Sequence, residues 1–501
     1  MRWIVLVLLV ATPALAQQEH DPIRIDEASD FTNPQNGVRS GAGTAADPYV
    51  INDWVIRRPL VDLMPSQAAV LIEGTDAHVV VRGIQVHQPF DIGVAVVDAA
   101  NVTIERLEVR NAARAVYANG ALGLRMMDLD LIGNGPDDFA GGVLIHRSHG
   151  VALRNVVVDD GKSPGVMVTT SSGVLLEGLR VTGHDQGLRL HGVQGLVLVG
   201  VQADHNRGDG VRISNVTGLQ VLGLSSNDHE GSVQSGRGIV IWDTSGTMQN
   251  VVANRNGGGG LRVFDSRIPL TTGRFLDNQG AGLRMQVDDA RVEDVESHGN
   301  SGDGLAFFAG DGRGVVRLVD VDAHDNGGSG VFVQGMDGMH LADLRTQRNG
   351  GPGIDVRVGG NLTILGSRSA ENRGDGVLLF EVRGGQVVDN RATGNGKAGF
   401  VMHAATGLRV VNNSAEANTG HGFLLDGTGL HAIGNDARGN GGHGILVPAG
   451  ANATLRANHA SGNQQGDLTG GTHESTPAPF ALAAVLLALA LRRRPSTRAA
   501  R

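Results

Sequence analysis

The chain has 501 residues, a net charge of −9, 76 glycines, 3% aromatic residues and no cysteine. Without cysteine there is no disulfide framework, thiolate zinc site, iron–sulfur cluster or lipoprotein-type cysteine anchor, and the mild, spread-out acidity gives no general attraction to nucleic acid. Glycine interrupts every stretch of about ten residues at a cost of about 1 kcal/mol per helical position, which excludes long helices, and no Gly-X-Y period exists, which excludes collagen.

Residues 1–16 read as a signal peptide. Arg2 is the charged start, residues 4–10 are the apolar stretch, and Ala14-Leu15-Ala16 forms a small-residue cleavage site before Gln17. Residues 17–63 follow as an N-terminal segment and cap. The Gly, Asp and Pro of residues 37–48 signal turns ahead of a first strand over residues 49–56. A stacked repeat needs such a first element over its open end.

The repeat then runs over residues 64–463. Its phrase is Asn-x-Gly-x-Gly followed by alternating apolar residues, as in Asn372-Arg373-Gly374-Asp375-Gly376-Val377, Asn418-Thr419-Gly420-His421-Gly422-Phe423 and Asn440-Gly441-Gly442-His443-Gly444-Ile445. A small residue precedes each alternation, from Ala69 through Gly187, Gly210, Gly238, Gly260, Gly282 and Gly304 to Gly444. The average step is about 23 residues, in the range of a solenoid. Counting from this marker, positions +1 and +3 are apolar, for example Val166 and Val168 or Leu261 and Val263, so one strand face is buried. A second apolar position recurs near +11, as at Ile104, Ile364 and Leu455, giving at least two strands per repeat and no room for a helix. Leucine-rich repeats would need a Leu/Asn consensus that is absent, and propeller blades are nearly twice as long. The expected fold is all-β, a right-handed parallel β-helix of about 17 coils. Gly and Asn suit its turns because they tolerate positive φ, and an Asn recurring in one slot stacks into a hydrogen-bonded ladder.

The phrase Asn-x-Gly-x-Gly-[Ile/Val/Leu], with a following Asn-[Val/Leu/Ala]-Thr-[Ile/Leu] at residues 101–104, 361–364 and 452–455, resembles the parallel β-helix repeats of the NosD and carbohydrate-binding/sugar-hydrolase group. The resemblance covers roughly residues 37–465. It implies the fold, and a group that includes polysaccharide lyases, uronan epimerases, adhesins and a copper-linked periplasmic maturation factor.

With +1 and +3 buried, +2 and +4 point outward and stack from coil to coil. The +2 slot reads Arg189, Arg212, Val240, Arg262, Arg284; the +4 slot reads Trp242, Phe264, Gln286, Phe308, with Phe332 and Phe380 as further outward rings. Arginine pairs with carboxylate or sulfate and flat rings stack on sugar faces, so Arg189, Arg212, Arg262, Arg284, Trp242, Phe264 and Phe308 are the candidate groove for an extended anionic saccharide. The alternative is that loop carboxylates neutralise the arginines and the long turn between Gly210 and Gly238 covers the rings. Asp243 and Asp265 share the +5 slot on adjacent coils. Two such carboxylates could share a proton or hold calcium, compatible with glycosidic or uronate chemistry; strand-end turn residues are the plainer reading. His421 and His443, and His298 and His324, share slots on adjacent coils, but copper or zinc wants three or four ligands, so no metal site is assigned. The Asn-x-Ser/Thr sites at Asn101, Asn215, Asn361, Asn412 and Asn452 largely follow from the repeat itself.

Residues 464–477 form a polar linker, and residues 478–501 a C-terminal tail: fourteen uncharged residues to Leu491, then Arg492-Arg493-Arg494. The apolar run falls short of the ~20 residues needed to span a bilayer, while the arginines fit a positive-inside stop. The tail resembles the C-terminal sorting tags of exported prokaryotic proteins, the PGF-CTERM type among them, with Pro-Ala-Pro-Phe at 477–480 where Pro-Gly-Phe is expected. The expectation is an exported protein, held at the cell surface by its tail, that binds polysaccharide. A polysaccharide lyase or uronan epimerase is the first alternative, with calcium as its possible cofactor. A NosD-like copper-handling factor is the second.

Overall fold

The computed structural model describes residues 18–57, 68–87, 90–135, 141–232, 234–310 and 314–474. The expected signal peptide and C-terminal tail lie outside these residues, as does the end of the cap segment. The chain divides into two compact units, Met1–Gly310 and Asp311–Arg501.

Each unit is built from parallel strands that pair with the strands one coil on, about 17 turns in all. In the first unit, Pro164–Thr169, Ser172–Glu177 and Arg180–Thr182 make one coil. They pair with Gln186–His191 and with the long strand Gln194–Asp204 of the next. In the second unit, Ile354–Leu365 and Arg368–Ala370 pair likewise with Val377–Val388 and Arg391–Thr393. A coil thus has three strand segments, one more than the apolar pattern demands, because the third is only about three residues long and carries a single buried side chain such as Val181. Among the described residues there is no α-helix, only the 3-10 turn Ala28–Thr32, and no helix is long and apolar enough to cross a membrane.

The alternation places the core as expected. Val166, Val168, Leu188, Leu190, Val211 and Ile213 are fully buried, each worth about 1.5–3 kcal/mol over leaving it exposed. In the second unit, Phe400 and Phe423 stack with their centroids 4.8 Å apart and planes 4° apart.

The asparagine of the repeat phrase is internal. Asn349, Asn372, Asn395, Asn418 and Asn440 are buried. The Nδ2 of each donates to the next Oδ1 along the chain, at 2.9 Å from Asn349 to Asn372 and 3.0 Å from Asn372 to Asn395. Each Oδ1 also takes a backbone N–H, as when Asn395 accepts from the amide of Asn372 at 3.1 Å. A shorter ladder in the first unit joins Asn256, Asn278 and Asn300. Two histidines extend the pattern there, since His229 accepts the Asn206 amide and Asn206 accepts that of His184.

The marker glycines are needed for a reason other than positive φ. Gly376, Gly399 and Gly422 are absent from the left-handed region. A Cβ on Gly376 would instead lie 2.6 Å from the Gly399 carbonyl oxygen and 2.9 Å from Asn395 Nδ2. The glycine leaves room for the next coil's backbone and for the asparagine ladder. The left-handed corners are occupied by other residues, Asp243 (φ 47°), Asp265 (φ 42°), Glu371 (φ 55°) and Ala404 (φ 51°) among them.

At the start, residues expected to cap the stack also contribute to it: Ile23–Ile25 pairs in parallel with Ala68–Glu73, and Tyr49–Asn52 with Val79–Arg82. At the other end, Leu468–Thr469 and Thr472–Glu474, within the expected linker, pair with Ile445–Leu446 and Ala453–Arg456. Open backbone groups at the last full coil take strand partners even from a polar sequence, since unpaired edge groups are costly.

Candidate functional site

The seven groove candidates fall where the period places them, all within the first unit, whereas Phe332 and Phe380 lie in the second. Strand register aligns Arg189 with Arg212, Arg212 with Val240, Val240 with Arg262, and Arg262 with Arg284. Beside them, Trp242 aligns with Phe264, Phe264 with Gln286, and Gln286 with Phe308. Behind this face the inward residues Ile239, Ile241, Leu261, Val263, Leu283, Met285 and Phe307 are buried, so the backbone that carries the arginines is rigidly packed.

The two expected sets meet directly. Arg262 lies over the Phe264 ring at 4.4 Å, Arg284 over Phe308 at 4.3 Å, and Arg212 over Trp242 at 5.3 Å. These are cation–π distances. The ring faces that were expected to receive sugars therefore carry guanidinium groups. Arg189 is exposed, while Val240, in the middle of the row, is 2% exposed.

Three further residues belong to this face. Asp209 and Arg237 precede the markers Gly210 and Gly238 by one residue. They form a bidentate pair at 3.0 and 2.8 Å, and the Arg237 amide also donates to Asp209 at 3.0 Å. Arg212 Nε lies 3.5 Å from the same carboxylate without closing a hydrogen bond. Gln186 fills the corresponding position before Gly187. After each marker the alternation makes side-chain orientation predictable from sequence. The residue before it sits in a turn, and its side chain can reach the outward face.

Asp209 is thus the acid that answers Arg212 and Arg237, and among the described residues no ion pair forms to Arg189, Arg262 or Arg284. Burial lowers the Arg262 pKa from its usual value, and the like charges of Arg284 and Arg237 add to the effect. Among the described residues, six buried side-chain nitrogens lack a hydrogen-bond partner: Nε of Arg114, Arg212, Arg262 and Arg284, Nε2 of Gln186, and Nε2 of His184. The first five are N–H donors at the outward slot or immediately before a marker, so unmet donor capacity and unbalanced positive charge coincide.

Asp243 and Asp265 are exposed at left-handed corners, just beyond the ring slot. Asn215, also left-handed at φ 51°, holds the same slot one coil earlier. Short polar side chains favour that conformation, which accounts for Asp there. Among the described residues no third carboxylate or histidine joins the two within coordinating distance, whereas calcium takes six to eight oxygens. Their side chains alone do not make up that shell.

In the second unit, His421 and His443 stack with centroids 5.5 Å apart. His421 Nδ1 accepts the His443 backbone N–H at 2.9 Å, and burial, then the neighbouring His443, lowers its pKa. That nitrogen's lone pair is committed to the chain rather than to a metal. His298 faces Glu296 at 3.7 Å in the first unit, and His324 pairs with Asp325 at 2.7 Å in the second. Phe380 stacks on His403 at 5.3 Å, and Arg357, paired to buried Asp355, lies 5.5 Å from the Phe332 ring.

The model of the right handed beta helix region matches residues 68–245 and 307–464. The chain belongs to this family. No curated protein matches it. Among solved structures it is similar to the A-module of the Azotobacter vinelandii mannuronan C-5 epimerase AlgE4, at 13% identity over 81% of this chain and 91% of that one, with a TM-score of 0.27. Tailspike protein 2 of an Escherichia coli O157:H7 bacteriophage is similar at 10% identity over 58% of this chain and 38% of that one, TM-score 0.30. The periplasmic alginate epimerase AlgG is similar at 10% identity over 85% of each chain, TM-score 0.18. These likenesses concern the fold alone.

Proposed function

We propose that this β-helix protein binds an extended anionic polysaccharide along the arginine face between Gln186 and Phe308. The observation that carries this reading is the coincidence of unpaired N–H donors and uncompensated arginines on one outward face. A buried donor without an acceptor costs about 1–3 kcal/mol. Arg212, Arg262 and Arg284 therefore rest in stacked states from which turning toward an anion is favoured, and guanidinium is suited to planar or tetrahedral oxyanions. The rings hold the guanidinium groups in place until the ligand arrives.

The signal-peptide-like start and the arginine-ended tail support export and attachment at the cell surface, where such polymers are met. The purified protein should be retained on immobilised polyuronate or sulfated dextran at low salt. Arg262→Ala with Arg284→Ala should abolish that retention while the far-ultraviolet spectrum stays unchanged. Unaltered retention by the double variant would remove the proposal.

A further inference from the structure

Resting on that reading, we infer that the ligand is a linear polyuronate lying parallel to the strand ladder, across coils rather than along a strand, with a footprint set by the five rungs from Arg189 to Arg284. The register puts Arg189, Arg212, Val240, Arg262 and Arg284 on successive coils at a single slot. Successive parallel strands stand about 4.8 Å apart, so the outermost arginines are about 19 Å apart along the stack. One coil rises by about the length of a single pyranose residue in an extended chain, so the row is commensurate with a sugar polymer and not with a single small anion.

The row is not uniform, and this sets where the ligand is held. Arg262 and Arg284 have no acid partner among the described residues. Arg212 shares Asp209 with Arg237, and Val240 offers no donor at all. Along any one strand, by contrast, there is at most one outward arginine of this row, and only the strand of Arg262 and Phe264 carries an arginine with its own ring, while Arg212 and Arg284 lean onto the rings of the next coil, so a chain laid along a strand would engage a single cation. The strong end is therefore the Arg262–Arg284 pair, and Arg189, exposed and without an ion-pair partner among the described residues, is the distal contact that only a longer chain reaches. A polymer with a carboxylate on every residue has an acid near every arginine in any register. This requirement favours a polyuronate over a glycan with sparse charges.

The test is a titration of the full chain with oligogalacturonates of increasing length, and with their methyl esters, which keep the shape and lose the charge. Affinity should rise from the dimer to about the pentamer, with little gain at the third residue, which faces Val240, and then level off, and the esters should not bind. Arg189→Ala should leave binding of the dimer unchanged and remove most of the gain of the pentamer, a loss of tenfold or more. Arg284→Ala should weaken both. Length-independent binding, or an Arg189→Ala effect equal on dimer and pentamer, overturns the ladder-parallel footprint. Retention on sulfated dextran without binding of any oligogalacturonate overturns the polyuronate inference and leaves the anionic-polysaccharide reading standing. Failure to bind either polymer overturns both.

Discussion

The guanidinium of Arg262 lies 4.4 Å from the centre of the Phe264 ring, two residues further along the same short strand. Residues two apart on a strand share a face, so the contact is written into the repeat. Phe264→Leu keeps an apolar side chain and removes the ring. A cation–π contact worth about 1 kcal/mol at a partly desolvated site is given up when Arg262 turns to the ligand, so its removal should raise affinity for a polyanion about fivefold, with little change in the thermal midpoint. Unchanged affinity would show that the ring has no part in holding Arg262.

Asp243 and Asp265 stand at exposed corners one residue beyond Trp242 and Phe264. As carboxylates beside the proposed polyanion site they should repel the ligand. Surface charge pairs are worth a few tenths to about 1 kcal/mol, so Asp243→Asn with Asp265→Asn should tighten binding about two- to fivefold. Weaker binding would mark the pair as ligand contacts. The same variant bears on enzymatic chemistry: if wild type with calcium yields unsaturated uronate product by ultraviolet absorbance, loss of that product in the variant assigns the reaction to these residues.

The period-two alternation made the outward row legible before any coordinates, because burial of Leu261 and Val263 leaves Arg262 only one direction to point. The same logic cannot place a residue in a turn. Asp209 and Arg237 therefore escaped it, although their bidentate pair decides which arginines remain uncompensated. Rotamers were equally out of reach. The slots of Arg284 and Phe308 were known, but not that the side chain leans one coil on to cover the ring. The glycines taught a different lesson. Positive φ was the expected reason for Gly376 and Gly399, and the structure gives close backbone approach instead, a constraint that arises only once the next coil is stacked in place.

The asparagine ladder is a load on stability rather than on binding. Asn395 accepts from the Asn372 side chain and amide, and donates to Asn418 Oδ1 at 2.9 Å and to the Ser369 carbonyl at 3.2 Å. Asn395→Ala strands several buried partners at once, at about 1–3 kcal/mol each. A loss of about 3 kcal/mol or more is expected in urea denaturation, whereas retention on polyuronate at ambient temperature should persist. A loss under 1 kcal/mol would mean that water enters and satisfies the gap.

His229 gives the ladder of the first unit a dependence on pH. It is buried, its Nδ1 accepts the Asn206 amide at 3.1 Å, and its Nε2 lies 2.9 Å from Ser226 Oγ. Burial is the main cause that lowers its pKa from 6.5 to about 4, and protonated Nδ1 would face an N–H donor. The unfolded chain takes up this proton near pH 6.5, the folded protein only near pH 4. Between those values the unfolded state holds more protons, so stability is complete above about pH 6.5 and declines as pH falls, by about 1.4 kcal/mol per unit for this one group. His184, whose pKa burial also lowers, acts in the same direction. The urea midpoint should therefore drop between pH 7 and pH 5. His229→Asn restores the residue type that Asn256 and Asn278 supply in the next rungs, and should flatten most of that slope. If the variant kept the wild-type slope, the acid sensitivity would belong to other groups, and the histidine would be a neutral stand-in for asparagine at every pH.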